Sequence, residues 1–406
     1  MTEIPKPTRF VGLDIHKEYF VATGVNALQE TVFGPQRVDN QQLETWMHKH
    51  LTSQDAVVLE STTNTYEFYD TLLPQVHSVT VVHPPHVALI TRAQVKTDRK
   101  AALGLAQLHA AGLLVGIWIP PQPIRDLRAL IAERYKMVRL QTQAKNRLHS
   151  LLHRHHLLPP EGGDLFSPEH RNWWEKLALT PLEHVNVQCD LDTLEFAHEQ
   201  LDRLQNCIAK AAAEDPRIPL LVQLPGIGIL TAVTILAAIG KIERFPDAKQ
   251  LVGYAGLGAR VHESGKLFQT GRITKAGRRD LRHVMVEAGQ QAARTHEHWK
   301  SELERLEPRI GRQKAIVAIG RKLLVAVWHV LAKEMVDRFA DPTQVACSFF
   351  AYAYKVGVKN LPDGQSALQY TRAQLDRLGI GKDLTEIPWG SKTFKLPPSQ
   401  LSEPAH

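Results

Sequence analysis

The sequence is poor in cysteine, and its three cysteines, Cys189, Cys207 and Cys347, lie far apart. This spacing argues against a disulfide framework and a CxxC-type zinc site, and it favours a reducing, cytoplasmic compartment. The N-terminus is polar and contains proline, so it lacks the apolar core of a signal peptide. Two long uncharged stretches are interrupted by polar residues, proline or glycine. Neither therefore provides the run of about 20 apolar residues that a membrane-spanning helix needs. We therefore expect a cytoplasmic protein with no membrane partner.

Neither charge sign dominates, but the balance is positive, with 49 Lys and Arg against 42 Asp and Glu. The formal net charge of +7 is a weak indication of a polyanionic partner such as nucleic acid. A hydrophobic content of 43% with 22% charged residues excludes disordered and fibrous classes. At 406 residues the chain is expected to form two or three domains.

The first 120 residues alternate between strand-like and helix-like segments. Strands are predicted where β-branched and apolar residues alternate or run together: 10–24 with its hairpin, 56–59, 79–83 and 116–119. Helices are predicted at 41–51 and 98–114. Such alternation indicates an α/β domain.

The next segment changes character, because residues 124–158 contain neither glycine nor proline and predict one long helix. Between Arg125 and His156 it carries eight Lys and Arg residues against two acidic ones. A second amphipathic helix is predicted at 190–213. The pair indicates an antiparallel helical hairpin or coiled coil, which is either a dimerisation element or part of a bundle within one protomer.

Three carboxylates occur at positions where elements begin or end. Asp14 lies in the first strand, Glu60 closes a later strand and Asp98 opens a helix. Carboxylates at such places can meet at one edge of a sheet and hold two Mg²⁺ ions, which act on phosphodiesters. Taken singly, each has a plain explanation as a turn residue, a surface acid or a helix N-cap.

A glycine turn stands in the second half, in the segment LPGIG with Gly226 and Gly228, before an apolar helix. Its exposed N–H groups and the helix dipole favour a DNA phosphate, although an ordinary turn between helices has the same look. Farther on, Ser264 precedes a glycine and could be a nucleophile or only a turn residue. Seven cations surround it and suit phosphate contact or a solvated face: Arg260, Lys266, Arg272, Lys275, Arg278, Arg279 and Arg282.

These motifs together resemble one known family. GLDIHK at 12–17, LEST at 59–62 and KTD at 96–98 are similar to the RuvC-like domain of the DEDD-type insertion-sequence transposases, also described as bridge-RNA-guided recombinases. GYAGL, SGK and GRITKAGRRDLR resemble the transposase domain that closes the same family's chains, in the same order. The two regions cover most of residues 9–335.

The resemblance implies an RNase H-like (RuvC-like) α/β domain at 9–122, a helical linker or coiled coil at 123–215, a mainly α serine-containing domain with a helix–hairpin–helix-like motif at 219–339, and a C-terminal extension at 340–406. It further implies an RNA-guided DNA recombinase with Mg²⁺ at Asp14, Glu60 and Asp98. Ser264 would form a covalent link to DNA. The carboxylates of one protomer would face the serine of another, which implies a homodimer or homotetramer that also binds a structured guide RNA.

The sequence departs from the family at one position. The family places a fourth acid three residues after the third, on the same helical face, and here that residue is Ala101. Three explanations are open: an engineered substitution, which the intact remainder favours, a naturally inactive copy, or compensation by another acid or by water. Two other functions remain open as well, a junction-resolving nuclease that uses no serine and a non-catalytic nucleic-acid-binding protein.

Overall fold

A computed structural model describes residues 6–91, 97–264 and 267–401 of the chain. Internal contacts divide the chain into two units, Met1–Pro121 and Gln122–His406. The predicted segments 123–215, 219–339 and 340–406 all fall in the second unit, and their boundaries stay a prediction.

The described residues of the first unit contain a five-stranded sheet of order β3-β2-β1-β4-β5. Its strands are β1 Arg9–Ile15, β2 Tyr19–Asn26, β3 Thr31–Asp39, β4 Asp55–Glu60 and β5 Ser78–Val82. The strands β1, β2 and β3 are antiparallel neighbours, whereas β4 runs parallel to both β1 and β5. The helices are α1 Leu43–His50, α2 Thr65–Leu72, α3 Pro84–Thr91 and α4 Asp98–Ala110.

The two faces of this sheet pack against different helices. Leu13 and Leu59 pack with Trp46 of α1 and Phe68 of α2 in one buried cluster. On the opposite face α4 lies directly on β1, because Gly12 has no side chain. A Cβ at Gly12 would stand 2.1 Å from the carbonyl oxygen of Ala102. The start of α4 is thereby held beside the end of β1.

The strands around 10–24, 56–59 and 79–83 are confirmed, but two expectations for this unit were wrong. Within the described chain, residues 116–119 form no strand. The N–H of Ile117 donates to the carbonyl oxygen of Val81 in β5 at 2.7 Å, and the residues that follow this segment, Pro120 and Pro121, have no N–H to donate. The helix expected at 98–114 ends at Ala110, since Gly112 takes a φ of +68°.

Strand β3 was not predicted, because it is an edge strand whose residues are mostly exposed and which contains Gly34 and Pro35. An edge strand needs no apolar alternation and tolerates proline, so it leaves little pattern in the sequence.

The second unit begins with the predicted helical hairpin. Helix α5, Gln122–Arg154, packs antiparallel to α7, Pro181–Glu214, and the short α6, Arg171–Glu175, lies between them in the chain. Arg147 donates to Asp190 at 2.8 Å, and His155 lies 2.7 Å from Glu183. Helix α7 begins nine residues earlier than expected, because Thr180 and Glu183 form a capping box.

The remainder of the second unit is mainly helical, as predicted. It contains α8 Ile218–Val222, α9 Ile229–Ile239, α10 Ala248–Tyr254, β6 Ala259–Ser264, β7 Leu267–Ile273, α11 Arg279–Thr295, α12 Glu297–Ile310, α13 Arg312–Lys333, α14 Pro342–Val356, α15 Ala367–Leu378, β8 Glu386–Trp389 and β9 Lys392–Lys395. The strands form two separate hairpins, β6–β7 and β8–β9. A single large core holds side chains from α9, α11, α13, α14 and α15 together.

Among the described helices, α13 alone is long and apolar enough to cross a membrane by length and composition. Half of its most apolar window is buried inside the protein, and Ile319, Leu323 and Val327 are fully buried in the core. Packing of α13 against α11 and α12 therefore accounts for its composition.

Candidate metal centre and nucleic-acid-binding surfaces

The end of β1 and the start of α4 bring two acids together. Asp14 follows Gly12 by two residues in β1, so both point to the face that α4 covers. Asp98 precedes Ala102 by one helical turn, and Ala102 contacts the backbone at Gly12. The missing side chain of Gly12 thus sets the separation of Asp14 and Asp98.

A histidine completes this cluster. One ligand atom from each of Asp14, His16 and Asp98 lies within 4.8 Å of the others. The Nε2 atom of His16 is 3.4 Å from Asp14 Oδ2 and 3.5 Å from Asp98 Oδ2. This nitrogen is buried and has no hydrogen-bond partner among the described residues. Two carboxylates and an imidazole nitrogen that converge in this way fit a divalent cation.

The electrostatics of the cluster agree with that fit. Burial raises the pKa of Asp14 above its usual value, and the negative charge of Asp98 adds to the rise, while His16 opposes it. The surroundings therefore disfavour the negative charge of Asp14. A divalent cation would oppose this effect, because it attracts both carboxylates.

A stacked set of side chains holds Asp98 in place. The hydroxyl of Tyr19 donates to Asp98 Oδ2 at 2.9 Å. The Tyr19 ring stacks on the ring of His16, with centroids 4.7 Å apart, and the guanidinium carbon of Arg37 lies 3.7 Å from the Tyr19 centroid. The hydrogen bond to Asp98 is the main cause of a raised pKa at Tyr19.

Three residues of this group, His16, Tyr19 and Arg37, were not predicted as site residues from the sequence. His16 had a signal, because it follows Asp14 at the two-residue spacing that places both on one face. Tyr19 and Arg37 reach the cluster only through the antiparallel pairing of β1, β2 and β3, where Val21 and Arg37 are opposite each other. No local pattern reports such pairing.

Glu60 ends β4, and the pairing of Leu13 with Leu59 places Glu60 on the neighbouring strand at the level of Asp14. The structure does not include it in the group of three ligand atoms within 4.8 Å of one another. Its role as a metal ligand stays a prediction.

Ala101 is exposed on α4. It lies one turn before Leu105, whose side chain packs with Val58 of β4 and Val82 of β5. Position 101 therefore belongs to the side of α4 that covers β4, the strand that Glu60 ends.

Ser264 is the last residue of β6, is exposed, and pairs with Leu267 of β7. Arg260 lies in the same strand, at an irregularity of the β6–β7 pairing between Ala259 and Val261. The predicted contact Lys266 lies outside the described residues, as do Gly265 and the motif residue Lys96.

The predicted cations near Ser264 divide into two groups. Arg272, Lys275 and Arg279 are exposed, and Arg260 is exposed although it also donates to the carbonyl oxygen of Thr274 at 3.3 Å. Two others make internal contacts: Arg278 pairs with Asp280, with Nε 3.0 Å from Oδ1, and Arg282 donates to the carbonyl oxygen of Ala255 at 2.9 Å. The exposed group is the better candidate for phosphate contact.

The two glycines of the LPGIG turn differ in what surrounds them. Gly226 has a φ of +78°, and a Cβ there would stand 2.3 Å from the carbonyl oxygen of Ala288, so packing on α11 requires glycine. Gly228 has a negative φ, and no described atom would lie within 4 Å of a Cβ there. It precedes the first turn of α9 and lines a cavity of about 140 Å³ with Arg134, Gln205 and Lys355.

Family models of known proteins match both the region that contains Asp14 and Asp98 and the region that contains Ser264. A DEDD-type transposase model of the IS110 group matches residues 11–157, and a model described as the transposase IS116/IS110/IS902 family matches 218–304. Together they span more than half of the chain. The first segment contains Asp14, Glu60 and Asp98, and the second contains Ser264.

Individual relatives agree over most of their length. The transposase for insertion sequence element IS1111A of Coxiella burnetii is 25% identical over 339 residues, which cover 81% of this chain and 91% of that protein. The pilin gene-inverting protein of Moraxella bovis is 26% identical over 340 residues, covering 79% of this chain and 95% of its own. In contrast, a shorter match to an uncharacterized 43.6 kDa protein of insertion element IS110 from Streptomyces coelicolor is 32% identical over 93 residues, which cover 23% of this chain and 23% of that protein.

Proposed function

Because the chain belongs to the DEDD-type insertion-sequence transposases of the IS110/IS116 family, we propose that it is a DNA recombinase guided by a structured RNA. Its relatives are named for transposition and for inversion of a gene, and rearranging DNA requires that strands be cut and rejoined. The mixed sheet with its helices is compatible with an RNase H-like, RuvC-like nuclease domain. The observation that carries the proposal is the convergence of Asp14, His16 and Asp98.

We infer that Asp14 and Asp98, with Glu60 on the adjacent strand, hold Mg²⁺. Carboxylate oxygens are the hard ligands that Mg²⁺ takes in proteins. When bound, the ion stabilises negative charge on the oxygens of a scissile phosphate. The chain's own part is to position the donors: Gly12 sets the approach of α4, and Tyr19 orients the carboxylate of Asp98.

Ser264 supplies the nucleophile in this proposal. Its hydroxyl oxygen attacks phosphorus, a Ser Oγ–P bond forms, and one bond from phosphorus to a deoxyribose oxygen breaks. The serine loses its proton, and the leaving oxygen gains one. Because one phosphodiester replaces another, a second DNA end can attack the phosphoserine and rejoin the strand without ATP. The exposure of Ser264, in the strand that also carries the exposed Arg260, supports this role.

The family implies that the acids of one protomer act with the serine of another, in a dimer or tetramer. The outward face of α7 supports association with a second copy, because exposed apolar residues recur on it at heptad-like spacing. They are Leu182, Val185, Cys189 and Phe196, with exposed fractions of 73%, 56% and 52% for the Leu, Val and Phe side chains. The exposed cations of α5, namely Lys136, Arg139, Arg147 and Arg154, and the exposed cations near Ser264 offer surfaces for the guide RNA.

The decisive experiment looks for a covalent protein–DNA adduct. The RNA that copurifies with the protein is sequenced, and matching labelled DNA is incubated with protein, RNA and Mg²⁺. Wild type and Ala101→Asp are each compared with their Ser264→Ala versions. Ser391→Ala is the matched control, because Ser391 is also an exposed serine beside a glycine in a hairpin turn.

We expect a denaturation-resistant adduct with Ser264 and with Ser391→Ala, and none with Ser264→Ala. Strand exchange that persists without Ser264 would exclude the serine mechanism, and DNA cleavage that persists without an adduct would favour the junction-resolving nuclease, in which water attacks. If the copurifying nucleic acid contains no discrete RNA, the proposal that a structured RNA guides the protein is contradicted.

A second candidate is a catalytically inactive nucleic-acid-binding protein, and Ala101 is the observation that favours it. Ala101→Asp restores an acid on the side of α4 that covers β4, where Glu60 ends. Lys100→Ala is the control, because it changes the net charge by the same amount in the same helical turn. Mg²⁺-dependent cleavage that appears only with Ala101→Asp identifies a disabled nuclease; cleavage by wild type rules this candidate out.

A further inference from the structure

Two exposed aromatic rings flank one buried ring in the C-terminal segment, to which the sequence assigned no function. Phe350 of α14 is 1% exposed, and its centroid lies 4.8 Å from that of Tyr354 and 5.2 Å from that of Trp389 in β8. Tyr354 is 56% exposed and Trp389 is 40% exposed. Phe350 thus holds both rings at the surface, where their outer sides face solvent.

Lysines accompany these rings. Lys355 follows Tyr354, and Lys392 is the cross-strand partner of Trp389 in the β8–β9 hairpin. Both are exposed, and neither forms an ion pair within the described part of the chain. The acid of this hairpin, Glu386, is three residues before Trp389 in β8 and therefore lies on the other face of the hairpin, where its cross-strand partner is Lys395. We call Tyr354, Lys355, Trp389 and Lys392 the aromatic–lysine surface.

This surface is continuous with the cavity at the start of α9. Lys355 lines that cavity together with Arg134 and Gly228. The first N–H groups of α9 and two cations there favour a phosphate. A strand that places one phosphate at this cavity can continue over Tyr354 towards Trp389.

We propose that the aromatic–lysine surface binds single-stranded DNA. Bases stack on Tyr354 and Trp389, and Lys355 and Lys392 contact the phosphates between them. Stacking on side-chain rings requires unpaired bases, which a duplex does not offer, and the charge is complementary to a phosphate backbone. The identity of the strand rests on the proposed function, because DNA that is cut and exchanged exposes single strands.

The test measures binding of the full-length protein to a fluorescent oligo-dT by anisotropy, without divalent metal. Stacking contributes roughly 1–3 kcal/mol per base, so Tyr354→Ala and Trp389→Ala should each weaken binding by about 5- to 150-fold. Lys355→Gln and Lys392→Gln should each reduce the salt dependence of log K by about 0.7. Ile310→Ala, which shortens an exposed apolar side chain at the end of α12, should leave affinity within twofold.

Trp389→Leu controls for loss of folding, because leucine removes the large ring but keeps an apolar side chain beside Phe350. The melting temperature of this variant is compared with that of wild type. An oligo-dT that carries photoreactive bases should crosslink to the peptides containing Tyr354 or Trp389. Binding unchanged in both alanine variants, or crosslinks only elsewhere, overturns the proposal.

Two further arms distinguish other partners. Oligo-U that binds through these residues while oligo-dT does not would assign the surface to RNA, and duplex DNA that binds equally well would exclude stacking. All arms are repeated with Ser264→Ala. If Ser264→Ala binds oligo-dT normally but forms no covalent adduct, binding at the aromatic–lysine surface is independent of the serine chemistry. Each of the two proposals can then fail without affecting the test of the other.

Discussion

The two ends of the sheet in the first unit carry acids in opposite states. At the end where β4 begins, Asp55 is 1% exposed and accepts hydrogen bonds from Arg9 Nε at 2.6 Å, Arg9 Nη2 at 2.7 Å and the N–H of Thr52 at 2.6 Å. At the end where β1 finishes, Asp14 and Asp98 face a histidine nitrogen that lacks a hydrogen bond in the described chain.

This difference separates a charge that the fold itself compensates from one that it leaves available to a ligand. Asp55 has a bidentate arginine and a backbone donor, so its negative charge is fully compensated inside the protein. Asp14 shares its surroundings with a second carboxylate, and its pKa is raised by burial and by that neighbour. A site that leaves charge uncompensated is suited to a ligand that brings the missing charge.

The largest expected effect concerns stability at the two ends. Asp55→Asn leaves Arg9 without its counter-charge and should lower the free energy of unfolding by about 3–5 kcal/mol. Asp14→Asn removes a strained charge in the absence of metal and should leave stability unchanged or higher. Urea unfolding of both variants in a chelator checks this. Equal losses at the two ends would contradict the distinction between them.

Metal addition should produce the next largest effect, and only at the Asp14 end. A divalent ion that binds the folded state at 100 times its Kd stabilises it by about 2.7 kcal/mol. We expect Mg²⁺ or Mn²⁺ to raise the melting temperature of wild type, but not of Asp14→Asn or Asp98→Asn. Arg9→Lys, which leaves the metal cluster intact, is the control and should respond as wild type does.

Removal of the Tyr19 hydroxyl should have a smaller effect. Tyr19→Phe keeps the stack between His16 and Arg37 but frees the carboxylate of Asp98, so metal affinity should fall by about 10- to 100-fold. Titration calorimetry with Mn²⁺ measures this directly, without dependence on activity. Tyr69→Phe, on α2, provides a hydroxyl deletion outside the cluster. An unchanged affinity in Tyr19→Phe would mean that Tyr19 does not orient Asp98.

The smallest effect concerns a partly exposed pair of an acid and a histidine in the helical hairpin, Glu183 and His155. Contacts from His155 and Thr180 lower the pKa of Glu183 from 4.5 to about 2. A folded pKa below the unfolded one stabilises the protein above about pH 4.5, and this gain is lost as the pH falls towards 2. Glu183→Gln should therefore be less stable than wild type at pH 7 and equal to it near pH 2.

Urea midpoints at both pH values check this expectation. Thr180→Ala is a companion variant that loses the N-cap, about 1 kcal/mol, and also part of the same pH dependence, because the Thr180 hydroxyl donates to Glu183. A difference between wild type and Glu183→Gln that does not change with pH would show that the carboxylate charge plays no part.

The sequence was informative where structure is local. Apolar runs predicted the strands at 56–59 and 79–83, and the lack of glycine and proline predicted the long helix that begins at residue 122. The position of Asp98 at a helix start was predicted in the same way, from the residues next to it. Contacts between distant elements left no such trace. The Tyr19–Asp98 hydrogen bond joins residues 79 positions apart, and the exposed edge strand β3 carries Arg37. The candidate metal site was thus half predictable: Asp14 and Asp98 were foreseen, but not the histidine, tyrosine and arginine that lie around them.

Position 12 has a consequence for how the protein could be inactivated. The hydrogen atom of Gly12 stands where any larger group would collide with the main chain of α4. A single added methyl group would force strand and helix apart and move Asp98 away from Asp14, although every donor atom would remain in the chain. The distance on which the proposed chemistry depends is therefore controlled by a residue that has no functional group at all.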